Sequence, residues 1–170
     1  MHTATPDDLR RAGVKATDSR SLVIDDFSHD WRDWYMLSPD NPQHWQFWTR
    51  KLADPKWTGQ PGYRLTFDAQ SKQANELVVV LTENFFRSYR GQQQDFVAVA
   101  KLTGGDKWQV VTLSPDDFRA KGGEGVLRSW ANVDLLGLRA YYDEGGKLLG
   151  SKTWAGPQPK LRYLRWTEKH

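Results

Sequence analysis

The sequence predicts an all-β fold, an antiparallel β-sandwich. Between residues 22 and 167 it contains nine short runs rich in apolar, β-branched and aromatic residues, and several of them alternate apolar and polar side chains with the period of two of a strand. Glycine, proline and aspartate punctuate the connections, as in residues 59–62 (Gly-Gln-Pro-Gly). Short strands without helices between them favour an antiparallel sandwich over alternating α/β units.

The predicted strands cover residues 22–27, 34–37, 44–52, 62–70, 76–84, 95–103, 107–113, 133–142 and 160–167. Alternation assigns their side chains to faces. In the last run but one, Leu136, Leu138, Ala140 and Tyr142 oppose Leu135, Gly137, Arg139 and Tyr141. The residues expected to be buried between two sheets are Tyr63, Leu65, Phe67, Phe96, Ala98, Leu102, Trp108, Leu136 and Leu138.

A short helical turn is predicted after the strand at 107–113. Ser114 is followed by Pro115, Asp116 and Asp117, a capping residue followed by proline and acids. We expect this turn to return Phe118 to the core.

The length indicates one domain, because 170 residues suffice for one well-buried core and are short for two. Residues 21–170 are expected to form the sandwich. Residues 1–20 are mostly polar, with one short helix signal at Thr5-Pro6, and are interpreted as a leader or interdomain linker.

Composition limits the kinds of site and partner. The chain has no cysteine, which excludes disulfides, a thiolate nucleophile and thiolate zinc sites. No stretch approaches the roughly 18 apolar residues of a membrane span, and the first residues lack the pattern of a signal peptide. We therefore expect either a cytosolic protein or a piece of a longer exported chain. The net charge of +3 permits acidic partners without requiring them, and no basic run or reading motif favours nucleic acid.

The stretch 44–57 carries three of the nine tryptophans. As a strand it places Trp45, Phe47 and Thr49 on an apolar face suited to the core. The other face carries His44, Gln46, Trp48 and Arg50, an aromatic plate between hydrogen-bonding groups. Pyranose rings pack their C–H groups on aromatic faces and need polar partners around the rim. Trp48 either stacks on a sugar or is covered by a neighbouring loop.

A second aromatic and basic stretch covers residues 84–94. At least one of Phe85 and Phe86 is expected to cap an end of the sandwich. Arg87, Tyr89 and Arg90 in the same stretch favour a binding rim at the tip of the sandwich. Similar reasoning applies to residues 30–35 and to Trp57. The candidate ligand-binding residues are Gln46, Trp48, Arg50, Trp57, Arg87, Tyr89, Arg90, Arg139 and Tyr141. Arginines among these aromatics favour an anionic or sulfated glycan over plain cellulose, with ion pairs to the 21 acidic residues as the alternative explanation.

Several of these segments form a recognisable series: residues 108–118, Leu127 with Trp130, and residues 133–138. The series resembles the second half of the galactose-binding-like jelly-roll domains, which include carbohydrate-binding modules of secreted bacterial polysaccharide-degrading enzymes, and residues 22–27 resemble their first strand. The resemblance implies jelly-roll topology, core positions for Trp108, Phe118 and Trp130, and non-catalytic binding of a polysaccharide or oligosaccharide. It also implies an extracellular or periplasmic location and a neighbouring catalytic domain.

The resemblance also bears on metal binding and on other functions. Modules of this fold often hold a structural calcium between the first and last strands; Asp25 and Asp26 match the start of that pattern, while the last strand lacks the expected acid. A sister group, the intermediate-associated proteins of respiratory complex assembly, shares the tryptophan to Asp-Phe pattern. A protein-interaction or assembly domain is therefore the first alternative. A small polysaccharide lyase or hydrolase is the second, for which His44, Arg50 and Tyr89 could supply a base and its partners.

Overall fold

The computed structural model describes residues 22–29, 31–37, 41, 43–151 and 153–168. The predicted leader at 1–20 lies outside these residues. Their strands are β1 (Val23–Asp25), β2 (Trp34–Leu37), β3 (Gln46–Thr49), β4 (Tyr63–Gln70), β5 (Asn75–Glu83), β6 (Gln94–Leu102), β7 (Trp108–Leu113), β8 (Arg119–Ala120), β9 (Val133–Arg139), β10 (Tyr141–Glu144), β11 (Lys147–Gly150) and β12 (Lys160–Glu168). Four 3-10 turns connect them, at Lys51–Ala53, Pro55–Trp57, Ser88–Arg90 and Pro115–Asp117.

The strands form two main antiparallel sheets. One has four strands in the order β1-β12-β4-β7, and the other has six in the order β2-β3-β9-β5-β6-β8. Strands β10 and β11 make a separate hairpin. The predicted all-β, sandwich-like architecture is thus confirmed, and its assignment as a jelly roll stays a prediction. The sequence analysis missed β8 and β11, the first only two residues long and the second predicted as part of a connection.

The core lies between the two sheets. The prediction of burial is confirmed for seven residues: Leu65, Phe67, Phe96, Ala98, Leu102, Leu136 and Leu138. Tyr63 is half-buried and packs against the core. Trp45, Phe47 and Thr49 on β3 and just before it are also buried, so the predicted apolar face of this strand points inward. Burying each large apolar side chain contributes about 1.5–3 kcal/mol.

Trp108 was wrongly predicted to be in the core, since 37% of it is exposed. Strand β7 buries Val111 and Leu113, which have the opposite parity along the strand. Trp108 therefore shares the outer face with Val110, where the guanidinium of Arg162 lies 4.0 Å from the ring centroid. The apolar residues of this run fall on both faces, so alternation alone did not decide which face was inner.

The turn after β7 agrees with its prediction. The backbone N–H of Ser114 donates to Asp117 Oδ2 at 2.8 Å, and Phe118 is fully buried. Trp130 is buried as well, and its Nε1 donates to the carbonyl of Tyr63 at 3.0 Å. Both aromatic residues are therefore part of the core, as the resemblance implied.

The hairpin β10–β11 lies against the outer face of the six-stranded sheet. Beneath it a second apolar cluster buries Val78, Val80, Val97 and Tyr142. The predicted alternation from 133 to 142 fails at Ala140, which lies between β9 and β10. As a result Tyr142 joins this outer cluster while Tyr141 packs against the main core.

Candidate functional site

Three rows of side chains cross the outer face of the six-stranded sheet. Strand pairing places them as follows: Leu37, Gln46, Arg139, Val78 and Val99 in the first row; Tyr35, Trp48, Gly137, Val80 and Val97 in the second; Leu135, Thr82 and Asp95 in the third. The hairpin covers the valine end of the first two rows. The remaining part of the face is open and carries the candidate site.

A groove of about 510 Å³ occupies this open part. It is lined by Tyr35, Leu37, Gln46, Trp48, Thr82, Phe85, Phe86, Gln93, Asp95 and Leu135. Aromatic and aliphatic side chains form most of its surface, and amide, hydroxyl and carboxylate groups lie among them. This composition is typical of sites for small organic ligands.

Trp48 lies against the sheet at the position of Gly137, its partner on β9. A Cβ added to Gly137 would approach Cε3 and Cζ3 of the indole to 2.6 Å, so the ring occupies the space that a side chain would need. Gln46 Oε1 accepts a hydrogen bond of 3.4 Å from Trp48 Nε1. The ring is therefore supported from below and oriented at its edge. We call it the Trp48 platform.

Phe85 and Phe86 line the groove from the turn after β5. Their rings contact each other edge to face, with centroids 4.8 Å apart, and each residue is 46% exposed. The fully buried Asp134 holds the turn, because its two oxygens accept the backbone N–H groups of Phe85 and Phe86 at 2.9 Å. The expectation that these phenylalanines cap the sandwich core is wrong.

Asp95 is the one carboxylate among the described residues that line the groove. Its Oδ1 accepts from Thr82 Oγ1 at 2.7 Å, and its Oδ2 accepts from the hydroxyl of Tyr142 at 2.8 Å. Burial and this second hydrogen bond raise the pKa of Tyr142. The hairpin thus fixes the orientation of Asp95.

Arg139 lies beside the Trp48 platform. Its guanidinium carbon is 5.6 Å from the ring centroid of Trp48 and 5.0 Å from that of Tyr142. Burial lowers the pKa of Arg139, although an arginine remains charged at neutral pH. A half-buried cation therefore lies between the groove and the hairpin.

Arg50 and Trp57 line a second pocket, of about 440 Å³, on the other side of Tyr35. Trp57 lies below the ammonium groups of Lys51 and Lys56, which are 5.1 and 4.7 Å from its ring centroid. The structure thus separates these two candidates from Gln46 and Trp48, while Tyr35 borders both pockets.

The four remaining ligand-binding candidates lie outside the lining of the groove. Arg87 is 3.6 Å from Asp134 and largely buried, so it supports the phenylalanine turn. Tyr89 is 80% exposed and lies with the exposed Arg90 in the 3-10 turn Ser88–Arg90. The hydroxyl of Tyr141 is 3.1 Å from His44 Nδ1.

Protein groups already contact both carboxylate oxygens of Asp25, a residue of the predicted calcium site. Its Oδ1 accepts from the backbone N–H of Phe27, and its Oδ2 accepts from Trp34 Nε1 at 2.7 Å. The ammonium of Lys51 lies 3.3 Å from the same Oδ2. Asp26 Oδ1 accepts the backbone N–H of Ser28. Among the described residues no three potential ligands of the His, Cys, Asp or Glu type cluster together, and calcium binding stays a prediction.

The groove offers little for hydrolysis. A glycosidase holds two carboxylates about 5–10 Å apart across the bond that it cleaves, and only Asp95 is present among the described lining residues. Burial, with the nearby charge of Asp134, raises the pKa of Glu83, but Glu83 lies outside the lining. The arrangement suits binding better than acid–base chemistry.

Two lining residues, Thr82 and Asp95, were not anticipated from the sequence, whereas Tyr35 and Gln93 lie within the predicted rim stretches 30–35 and 84–94 without having been singled out. Thr82 and Asp95 belong to two strands, at 76–84 and 95–103, for which the sequence suggested no ligand-binding residue. Their proximity follows from the pairing of β5 with β6, which places them directly opposite each other. The glycine within the run 133–139 was the available signal, because glycine inside a strand often marks a close approach.

No family model matches this chain, and no curated protein or solved structure is significantly similar to it. In the part of the chain that the structure describes, no helix has the length and apolar character needed to cross a membrane.

Proposed function

We propose that the protein binds carbohydrate without catalysis, in the groove on the outer face of the six-stranded sheet. The observation that carries the proposal is the Trp48 platform, an indole lying over Gly137 in a groove that also contains two amide side chains. As the resemblance implies, binding would serve a polysaccharide-degrading system outside the cytoplasm, through a neighbouring catalytic domain.

The chemistry of the lining supports a sugar ligand. A pyranose ring places its C–H groups on an aromatic face, where dispersion and the π-electrons stabilise it. Its hydroxyls then need donors and acceptors at the rim. Gln46 and Gln93 supply both, and Asp95 supplies acceptors with a fixed orientation.

Titration of a glycan panel tests the proposal, with uronic, sulfated and neutral oligosaccharides each measured by calorimetry. We expect Trp48→Ala to weaken binding of the positive glycan by about 1–3 kcal/mol, as for a central aromatic contact. Trp108→Ala is the matched control, because it removes a partly exposed indole from the opposite sheet. Binding that survives Trp48→Ala unchanged, or that both variants weaken equally, contradicts the assignment of the groove.

A protein partner is the second candidate, favoured by one further observation. The edge strand β2, which contributes Tyr35 and Leu37 to the groove, exposes these two residues and Met36, which are 44–56% accessible. Exposed apolar patches often mark protein interfaces. If no glycan in the panel binds and a protein ligand loses affinity on Leu37→Ser, this candidate replaces the first.

A further inference from the structure

We infer that Arg139 binds an anionic group of the ligand, a carboxylate or sulfate on the sugar that stacks on Trp48. The inference rests on the proposed function and narrows its ligand class to acidic glycans.

The first argument is the lack of a counter-ion for this guanidinium. Three other buried or half-buried arginines have carboxylate partners within 4 Å: Arg162 and Arg165 contact Asp68, and Arg87 contacts Asp134. No carboxylate lies within that distance of Arg139, or of the half-buried Arg64, in the described part of the chain. The buried Nε of Arg139 has no hydrogen-bond acceptor there, a feature that it shares with Arg64, Arg87 and Arg165. A half-buried guanidinium without a carboxylate partner is costly, so the missing ion pair calls for an explanation.

The second argument is that the guanidinium is already positioned. It lies between the rings of Trp48 and Tyr142, which stabilise the cation through their π-electrons but accept none of its directional hydrogen bonds. A planar guanidinium held in this way is suited to a bidentate contact with a carboxylate or sulfate. Little side-chain freedom would then be lost on binding.

The third argument is the position of Arg139 relative to the groove. It pairs directly with Gln46 across β3 and β9, and its guanidinium contacts the same indole that floors the groove. Asp95 lies in a different row, two strands away on β6. Tyr142 lies beside both groups, with its ring 5.0 Å from the guanidinium and its hydroxyl bonded to Asp95, so a ligand in this part of the face would meet both charges. A bound sugar would direct its acidic substituent towards Arg139 and its hydroxyls towards Asp95.

The test compares ligands that differ only in charge. Oligogalacturonates and their methyl esters form one pair, and sulfated galactan oligosaccharides and their desulfated forms form another. For whichever pair binds, we expect the wild type to prefer the charged member by about tenfold or more, a preference that falls with added salt. Arg139→Gln should abolish the preference, so that the charged and neutral members bind with about equal affinity. Arg139→Lys, which keeps the charge without the planar fork, should retain part of the preference.

Each outcome is decisive. Equal affinity of the wild type for charged and neutral members overturns the inference and leaves the proposed function intact, and this comparison needs no variant to fold. A charge preference that persists in Arg139→Gln overturns it too, since another group must then bind the anion. Absence of binding to every member of both pairs and to the wider glycan panel overturns the inference together with the proposed function.

Discussion

At the scale of single residues, the site depends on a side chain that is missing. Gly137 lies in the middle of β9, where any other residue would project towards the indole of Trp48. Alternation predicted that Trp48 faces outward, but it could not tell whether the ring stands free or lies on the sheet. Gly137 allows the second arrangement. The two residues, 89 positions apart in the chain, therefore form one structural unit.

We expect Gly137→Ala to displace the Trp48 ring, because the new Cβ would lie 2.6 Å from two of its carbons. The free energy of unfolding should fall by about 1–3 kcal/mol, as for overpacking, and tryptophan fluorescence should change. Gly123→Ala is the matched control, since a Cβ there meets nothing closer than 4.0 Å. If Gly137→Ala is as benign as Gly123→Ala, the ring does not lie where the structure places it.

At the scale of elements, the groove depends on two contacts between segments that are far apart in the sequence. The turn with Phe85 and Phe86 is held from below by Asp134 of β9. The hairpin β10–β11 is attached through the hydrogen bond from Tyr142 to Asp95. Both contacts join residues about 50 positions apart in the sequence. A period-two pattern shows which face a side chain is on, but it does not show which distant residue it will meet. This is why the strands were predictable and these two contacts were not.

Asp134→Asn should loosen the phenylalanine turn. An amide can accept from only one of the two N–H groups with its oxygen, and it removes the charge opposite Arg87. We expect the unfolding free energy to fall by about 1–3 kcal/mol and affinity for the groove ligand to fall as well. In Asp117→Asn, which alters an exposed turn elsewhere, affinity should be unchanged. Denaturant titration measures the stability of both variants, and calorimetry measures their affinity for the ligand. If Asp134→Asn lowers stability but leaves the affinity unchanged, Asp134 supports only the turn and not the binding groove.

The hairpin contact predicts a dependence of stability on pH. Because burial and the bond to Asp95 raise the pKa of Tyr142, the unfolded chain loses this proton before the folded one does. The stabilisation that this contact gives the folded state is complete below the ordinary tyrosine pKa of about 10, and it is lost as the pH rises beyond that value. Denaturant unfolding between pH 8 and 11 should therefore show a steeper loss in the wild type than in Tyr142→Phe. Tyr89→Phe, at an exposed position, should retain the wild-type slope; equal slopes in all three proteins would contradict the coupling.

At the scale of the whole molecule, sequence patterns predict which side chains face the core better than they predict which distant residues contact each other. Inward positions of β3, β4, β6 and β9 follow directly from alternation, since a strand with one apolar face has one stable orientation. Trp108 shows the limit, because β7 has apolar residues on both faces. Among the candidate site residues, Gln46 and Trp48 meet in the groove, whereas Arg50 and Trp57 lie in a separate pocket. Their separation depends on the 3-10 turns after β3, which turn the chain away.

Asp25 connects the two sheets at one end of the sandwich. It belongs to β1 of the four-stranded sheet, and it accepts hydrogen bonds or charge from Trp34 of β2 and from Lys51, just beyond β3. We expect Asp25→Asn to lower the free energy of unfolding by about 2–4 kcal/mol, because the largely buried Lys51 ammonium loses its closer carboxylate partner. Asp33→Asn is the control: this carboxylate lies 3.8 Å from the same ammonium but is 61% exposed, so its loss should change stability by less than about 1 kcal/mol.

The same contacts lead to an expectation about calcium. An ion that binds only the folded state raises the melting temperature by mass action, so chelation would lower it if Asp25 held calcium. Both oxygens of Asp25 already accept hydrogen bonds, and the Lys51 ammonium lies beside one of them, where a second cation would be repelled. We therefore expect the melting temperature to be the same with excess chelator and with millimolar calcium. A fall on chelation that calcium reverses, and that is absent from Asp25→Asn, would establish the calcium site instead and would require Lys51 to move away from this carboxylate.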